Sequence, residues 1–419
     1  MRASVTEADI LPRGVRVLYI TYDGLTDPLG RSQVLPYLTG LAERGHQITI
    51  LSCEKPARLD TDGERIRKSC DEAGLKWVAL KYHKFPPIFS SAIDAVALER
   101  AAVSLHRDDH FNIIHCRSYI PARAGLAMKR RFGTKFLFDM RGFWPDEKIE
   151  GNNWDLSNPL YAAVYRYFKR LESRLLRGAD YIISLTEAGK AQLLTRPEMV
   201  DKPAPITVIP CCVDFTHFPL ATAATRDEAR RVLGIGTYAP VLAYLGSLGS
   251  WYMLEEMLDF FKVYASRHPS ACFLFVTSDE PGPIRETATA RGVDPDQLII
   301  VSATRDEVPQ RMAAADLGIF FIKPVFSKTA SSPTKMGEML AIGLPIVTNS
   351  GVGDVEAMVD KMRCGVTVRN FTNDSYASAL DRLETLYENA QERRDHALPL
   401  FDVNLGIKRY DETYTAMFD

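Results

Sequence analysis

The run Ser331-Ser332-Pro333-Thr334-Lys335 combines residue types that suit an anion. Pro333 fits the start of a helix, where a missing N–H costs nothing, and the flanking hydroxyls of Ser332 and Thr334 suit helix capping. A helix N-terminus carries unpaired N–H groups and a partial positive charge, to which Lys335 adds a full one. Phosphate is the natural ligand of such a site. Glu338, about one helical turn beyond Thr334, projects from the same helix face.

A second group stands in Phe138-Asp139-Met140-Arg141-Gly142-Phe143-Trp144-Pro145, at the end of an apolar strand-like run. Ligands of open α/β sheets bind at that carboxyl edge. Arg141 stays protonated and so cannot act as a general base, but it suits phosphate or sugar hydroxyls. Asp139, Asp146 and Glu147 fit structural ion pairs as well as they fit a site. His115, beside Arg117 and Ser118, reads equally as a site residue or a packed histidine. Gly30, in a turn-rich loop, allows close backbone approach to a ligand or simply makes a turn.

These residues need a frame. Val15 to Thr21 reads as a buried strand, followed by a loop to Gly30, a helix ending at Arg44-Gly45-His46, and a strand from Gln47 to Ser52. That is the opening β-loop-α-β unit of a doubly wound parallel sheet. The alternation continues through strands at 112–116, 135–139, 181–185 and 207–209, with helices near Ala122 to Arg131 and Pro159 to Arg177. A second α/β series restarts at Pro240 to Leu245, with later strands at 272–277, 298–301, 318–322 and 345–348. The reading is α/β with two such domains facing across a cleft: 1–214, 215–400, and a C-terminal helix over 401–419 that suits packing on either domain, the first included. A chain of 419 residues exceeds the size at which one core stops growing.

Gly337-Glu338-Met339-Leu340-Ala341-Ile342-Gly343-Leu344-Pro345 resembles the donor-site signature of glycosyltransferase family 4, a helix running into a strand. Further segments fall in the family's order, among them Asn112-Ile113-Ile114-His115, Ile209 to Asp214, and Tyr244-Leu245-Gly246-Ser247. The resemblance implies a GT-B fold of two Rossmann-like domains and a retaining, metal-independent transfer from a nucleotide diphosphate-sugar. It further implies that Glu338 accepts from the donor ribose, that the Gly30 loop lies over the phosphates, and that Gly246 and Ser247 belong to the donor site. UDP-sugar is the favoured donor. A glycan or lipid-linked glycan is the expected acceptor, in cell-surface polysaccharide or glycoconjugate synthesis.

Two features depart from the family pattern. Eight positions before Glu338, where the family carries another glutamate, stands Ala330, and counting from Pro324 instead points to Lys328. After Gly246 the family's Arg and Lys are replaced by Ser247-Leu248-Gly249-Ser250-Trp251-Tyr252. Lys335 is the expected substitute cation, with Lys328, Lys323 and Arg305 on neighbouring segments. A Lys at 328 also suits a donor sugar with an acidic substituent. A nucleotide-sugar epimerase or hydrolase and a non-catalytic sugar-nucleotide binding protein are the alternatives.

A formal net charge of −2 gives no global field for nucleic acid. Seven cysteines without CxxC spacing form no metal or disulfide framework and suit a reducing, cytoplasmic setting. No metal site and no cofactor are expected. No apolar stretch reaches the roughly 18 residues of a membrane span. The helix from Asn158 to Arg177, with Tyr161, Tyr165, Tyr167 and Phe168 among five basic residues, suits peripheral contact with the inner membrane face or a core helix with a basic side.

Overall fold

The computed structural model describes residues 14–86, 88–200, 203–386 and 389–419. The chain builds two parallel sheets. The first contains β1 (Arg16–Thr21), β2 (Gln47–Glu54), β3 (Lys76–Lys81), β4 (Ile113–Arg117), β5 (Lys135–Asp139), β6 (Tyr181–Ser184) and β7 (Ile206–Val208), in the order β3-β2-β1-β4-β5-β6-β7. The second contains β8 (Val241–Leu245), β9 (Cys272–Val276), β10 (Leu298–Val301), β11 (Leu317–Ile319), β12 (Ile346–Asn349) and β13 (Gly365–Val368), in the order β10-β9-β8-β11-β12-β13. In each sheet the order reverses beside the first strand, which opens a crevice at the carboxyl ends.

Alternation along β1 shows why its strands read as continuous apolar runs. Leu18 and Ile20 join a core with the helices Phe89–Asp109, Tyr119–Phe132 and Pro159–Gly178, whereas Val17 and Tyr19 join a core on the opposite face. A strand covered on both faces gains from apolar side chains at every position. The second sheet is enclosed in the same way by a single large core.

The chain crosses between the halves twice. Val213 N–H donates to the Phe401 carbonyl at 2.7 Å, and Val403 N–H donates to the Val213 carbonyl at 3.0 Å, so the two crossings run side by side. The helix Val403–Ala416 then packs Ile407, Tyr410 and Tyr414 into the first half. Close approach needs bare Cα positions: a Cβ on Gly40 would fall 2.3 Å from Ile407, and one on Gly406 would fall 2.5 Å from Tyr37. Full burial of an aliphatic side chain of this size contributes about 1.5–3 kcal/mol.

Candidate active site

A cavity of about 390 Å3 lies between the halves at the carboxyl ends of both sheets. Arg117, Arg141 and Trp144 face it from the first half; Trp251, Tyr252, Lys328, Ser332 and Thr334 face it from the second. The helix Thr334–Ala341 points its N-terminus at this space, and no side chain caps it. Ser332 was expected to cap; its hydroxyl instead accepts from Cys211 N–H at 3.1 Å, tying the two halves together. The first-turn N–H groups thus have no side-chain acceptor competing for them.

Lys335 lies just beneath the wall. Its Nζ sits 3.8 Å from the centre of the Tyr244 ring and 3.4 Å from that of Tyr252, and donates to Tyr244 Oη at 2.7 Å. Tyr244 in turn donates to the Ser247 carbonyl at 2.8 Å, so the lysine and the Gly246-Ser247 turn form one unit. Burial pushes the Lys335 ammonium well below its usual value, more than Glu338 and Asp279 raise it. An anion in the cleft reverses that balance. Glu338 is half-buried, and desolvation raises its carboxyl pKa against the pull of Arg305, 4.0 Å away, and Lys335. Gly246 takes φ +94°, a conformation that favours glycine. The Ser247 hydroxyl donates to Asp279 at 2.7 Å.

Of the cations considered as substitutes, Lys328 reaches the cavity, yet its charge is engaged. Its Nζ donates to Glu147 Oε1 at 2.8 Å and lies 3.7 Å from the centre of the Trp251 ring. The neighbouring carboxylate neutralises it, which weakens the argument for an acidic donor sugar. Ala330 is buried and stands against Gly189 of the first half.

On the opposite wall, Arg141 holds φ +59°, and Gly142 after it φ +119°, so the chain turns sharply beyond β5. That turn aims the guanidinium at the cavity, with Nη2 3.4 Å from Cys211 Sγ and Nη1 3.8 Å from Asp139 Oδ1. Asp139 and His115 were candidates for the site itself, but both are buried behind the cavity wall. Tyr410 Oη donates to Asp139 Oδ2 at 3.0 Å, and His115 Nδ1 lies 2.8 Å from Tyr414 Oη. Burial alone raises the Asp139 carboxyl pKa, but Arg141, His115 and Arg117 outweigh it and hold it below the usual value. Burial lowers the His115 pKa, and nearby Asp139 only partly offsets this. Asp139 thus stands behind the Arg141 guanidinium, with His115 3.6 Å behind Asp139 in turn.

Gly30 lies in the short helix Pro28–Gln33, and its neighbours Leu29 and Gln33 line the cavity. A Cβ here would stand 2.2 Å from the Gly24 carbonyl, so the glycine serves packing of the loop on itself. Sequence reasoning missed what holds that loop. The Glu54 carboxylate, fully buried, accepts from Leu25 N–H at 2.7 Å, Thr26 N–H at 3.2 Å, Thr26 Oγ1 at 2.6 Å and Ser52 Oγ at 2.6 Å. Tyr252 and Trp251 were missed as well; the clue was available in the aromatic pair that replaces the family's cations.

Two family models match the chain: Glycosyltransferase Family 4 over residues 34–217, and Glycosyl transferases group 1 over residues 239–385. A D-inositol 3-phosphate glycosyltransferase of Nocardiopsis dassonvillei is 24% identical over 292 residues, 67% of this chain and 64% of that protein. Another, from Corynebacterium kroppenstedtii, is 24% identical over 54% of this chain and 51% of that protein. The chain thus matches less than two thirds of the length of these curated relatives. Sucrose-phosphate synthase from Thermosynechococcus elongatus superposes with a TM-score of 0.73 at 15% identity, covering 96% of this chain and 99% of that one. Anabaena HepE in complex with UDP-glucose superposes with a TM-score of 0.67 at 13% identity, covering 96% and 100%. With matching models on both halves and the GT-B arrangement of two parallel sheets across a cleft, the chain belongs to glycosyltransferase family 4 / group 1.

Proposed function

We propose that this protein moves a sugar from a nucleotide diphosphate-sugar to an acceptor hydroxyl with retention of configuration. The observation that carries this reading is the uncapped N-terminus of the helix Thr334–Ala341 with the buried Lys335 beside it and Arg141 facing across the cavity. Negative charge grows on the departing diphosphate as the glycosidic bond breaks. Fixed N–H dipoles and two cations at the cleft stabilise that charge without reorganising. The acceptor hydroxyl attacks the same face of the sugar that the diphosphate leaves, and a phosphate oxygen takes its proton. No protein nucleophile is required.

Glu338 is assigned to the donor ribose, and the Gly246-Ser247 turn to the edge of the phosphate site. UDP is the preferred carrier, in keeping with the UDP-glucose bound by the similarly folded Anabaena protein. Synthesis of a surface polysaccharide or glycoconjugate is the corresponding role. A thermal-shift screen of UDP, GDP, ADP and CDP tests the donor assignment, because a ligand that binds only the folded state raises its melting temperature. UDP is expected to give the largest rise; no rise with any of the four contradicts the reading.

A further inference from the structure

The first half carries a second, larger cavity of about 820 Å3, between the helices Phe89–Asp109 and Pro159–Gly178. Tyr22, Asp23, Ile120 and Trp144 line both it and the interdomain cavity, so the two lie side by side with a common wall. Its walls include the rings of Tyr82, Trp154, Tyr161 and Phe168. Trp144, Trp154 and Phe168 pack on one another, with ring centres 4.8–5.8 Å apart. Aromatic walls of this extent suit a long apolar ligand.

The two helices that wall the groove also carry exposed apolar residues. Phe89 (63% exposed), Ile93 (59%) and Val96 (39%) recur at helical spacing on one helix, beside Phe85 (71%). Leu160 (49%) and Tyr167 (44%) stand seven residues apart on the other, with the groove-lining Tyr161, Val164 and Phe168 between and beside them. An exposed apolar stripe on each of two neighbouring helices marks a contact surface.

The charges nearby choose among partners. Lys84 and Lys148 line the groove, and Arg166 and Arg170 flank Tyr167 on the outer helix. Among the described residues none of these four has a carboxylate within 4.0 Å. Lys148 lies 5.3 Å from the centre of the Trp144 ring, and burial lowers its pKa, so an anion beside it is favoured. A two-fold contact with a second copy of the chain brings these cations against one another and is disfavoured. An anionic bilayer attracts all of them.

We propose that this groove seats the apolar chain of a phosphate-headed membrane lipid that carries the acceptor hydroxyl, and that the two apolar stripes dock the first half on the bilayer. The proposal rests on the glycosyltransferase reading, since it supplies the acceptor for that cleft. The Lys148 ammonium meets the lipid phosphate, and the shared wall at Tyr22 and Trp144 passes the polar end towards the donor.

Two measurements test this, with dodecyl phosphate and lipid vesicles as probes. Dodecyl phosphate is expected to change tryptophan emission through Trp144 and Trp154 in a saturable way, with Lys148→Gln weakening the titration about tenfold. In flotation assays the protein is expected to bind phosphatidylcholine–phosphatidylglycerol vesicles better than pure phosphatidylcholine. The triple variant Phe89→Ser, Ile93→Ser, Leu160→Ser should reduce that binding at least tenfold. The melting-temperature rise with UDP should be the same for the triple variant as for the parent, which shows that it remains folded with its donor site formed. Equal vesicle binding by parent and variant, no binding by the parent, or a parent dimer that the triple variant dissociates overturns the proposal. Absence of a UDP effect on the parent counts instead against the donor reading, so the two failures are distinguishable.

Discussion

Lys335 illustrates how a residue can oppose stability and serve binding. In the folded chain its pKa is lowered well below the usual value, while in the unfolded chain it returns to about 10.4. Between the lowered value and about 10.4 the unfolded state therefore holds the extra proton, and stability rises with pH across that window. Below the lowered value the burial penalty applies in full. Lys335→Met is accordingly expected to raise the melting temperature at neutral pH and to abolish this pH-dependent rise, as thermal unfolding over a pH series would show. Arg141→Ala is expected to lower kcat by about tenfold to a thousandfold with a smaller effect on donor affinity, because its charge acts most strongly on the departing diphosphate. An equal loss in binding and rate in steady-state assays contradicts that role. The spacing of Pro333, Thr334, Lys335 and Glu338 made the helix at the candidate site legible in sequence. The rings of Tyr244 and Tyr252 around Lys335 were not legible, because that contact spans segments 91 residues apart in the Tyr244 pair.

At the level of elements, the wall of the cleft depends on buried supports. Glu54 at the end of β2 shapes the loop before the helix Pro28–Gln33 through three hydrogen bonds, two of them from backbone N–H groups. Glu54→Leu leaves those donors without an acceptor and is expected to cost about 3–5 kcal/mol, measured by denaturant unfolding. An effect below about 1 kcal/mol contradicts the assigned support. Such a residue is hard to read from sequence, since a glutamate at a strand end usually faces solvent. The strands themselves show the same contrast. Those buried on both faces, such as β1, β4 and β8, appear as apolar runs and were legible. The edge strands β3 and β13 were missed: β3 is only partly covered, with charged residues at each end, and β13 has just four residues behind Cys364. The helix Val403–Ala416 was legible from Tyr410 and Tyr414 at helical spacing, but the hydrogen bond from Tyr410 to Asp139 was not. It links positions 271 residues apart.

Across the whole molecule, the cleft exists only while the halves hold together. Asp354 accepts from Glu187 N–H at 2.6 Å and Ala188 N–H at 2.9 Å, and Glu147 pairs with Lys328, so carboxylates from each half anchor the other. Asp354→Ala is expected to loosen this closure, raising KM for the donor several-fold and increasing the radius of gyration in solution scattering; unchanged values of both contradict the closure role. The two-domain plan was legible because the same α/β alternation restarts at Pro240. The cross-domain pairs were not, because no local pattern records which loops meet. Calorimetric titration with UDP, in buffers of different ionisation enthalpy, compares the parent with Lys335→Met most directly. The parent is expected to take up more protons on binding UDP than the variant does, because the diphosphate raises a Lys335 pKa that burial lowers, and the variant is expected to bind at least tenfold more weakly. Equal affinity and equal proton uptake in the two proteins would contradict it.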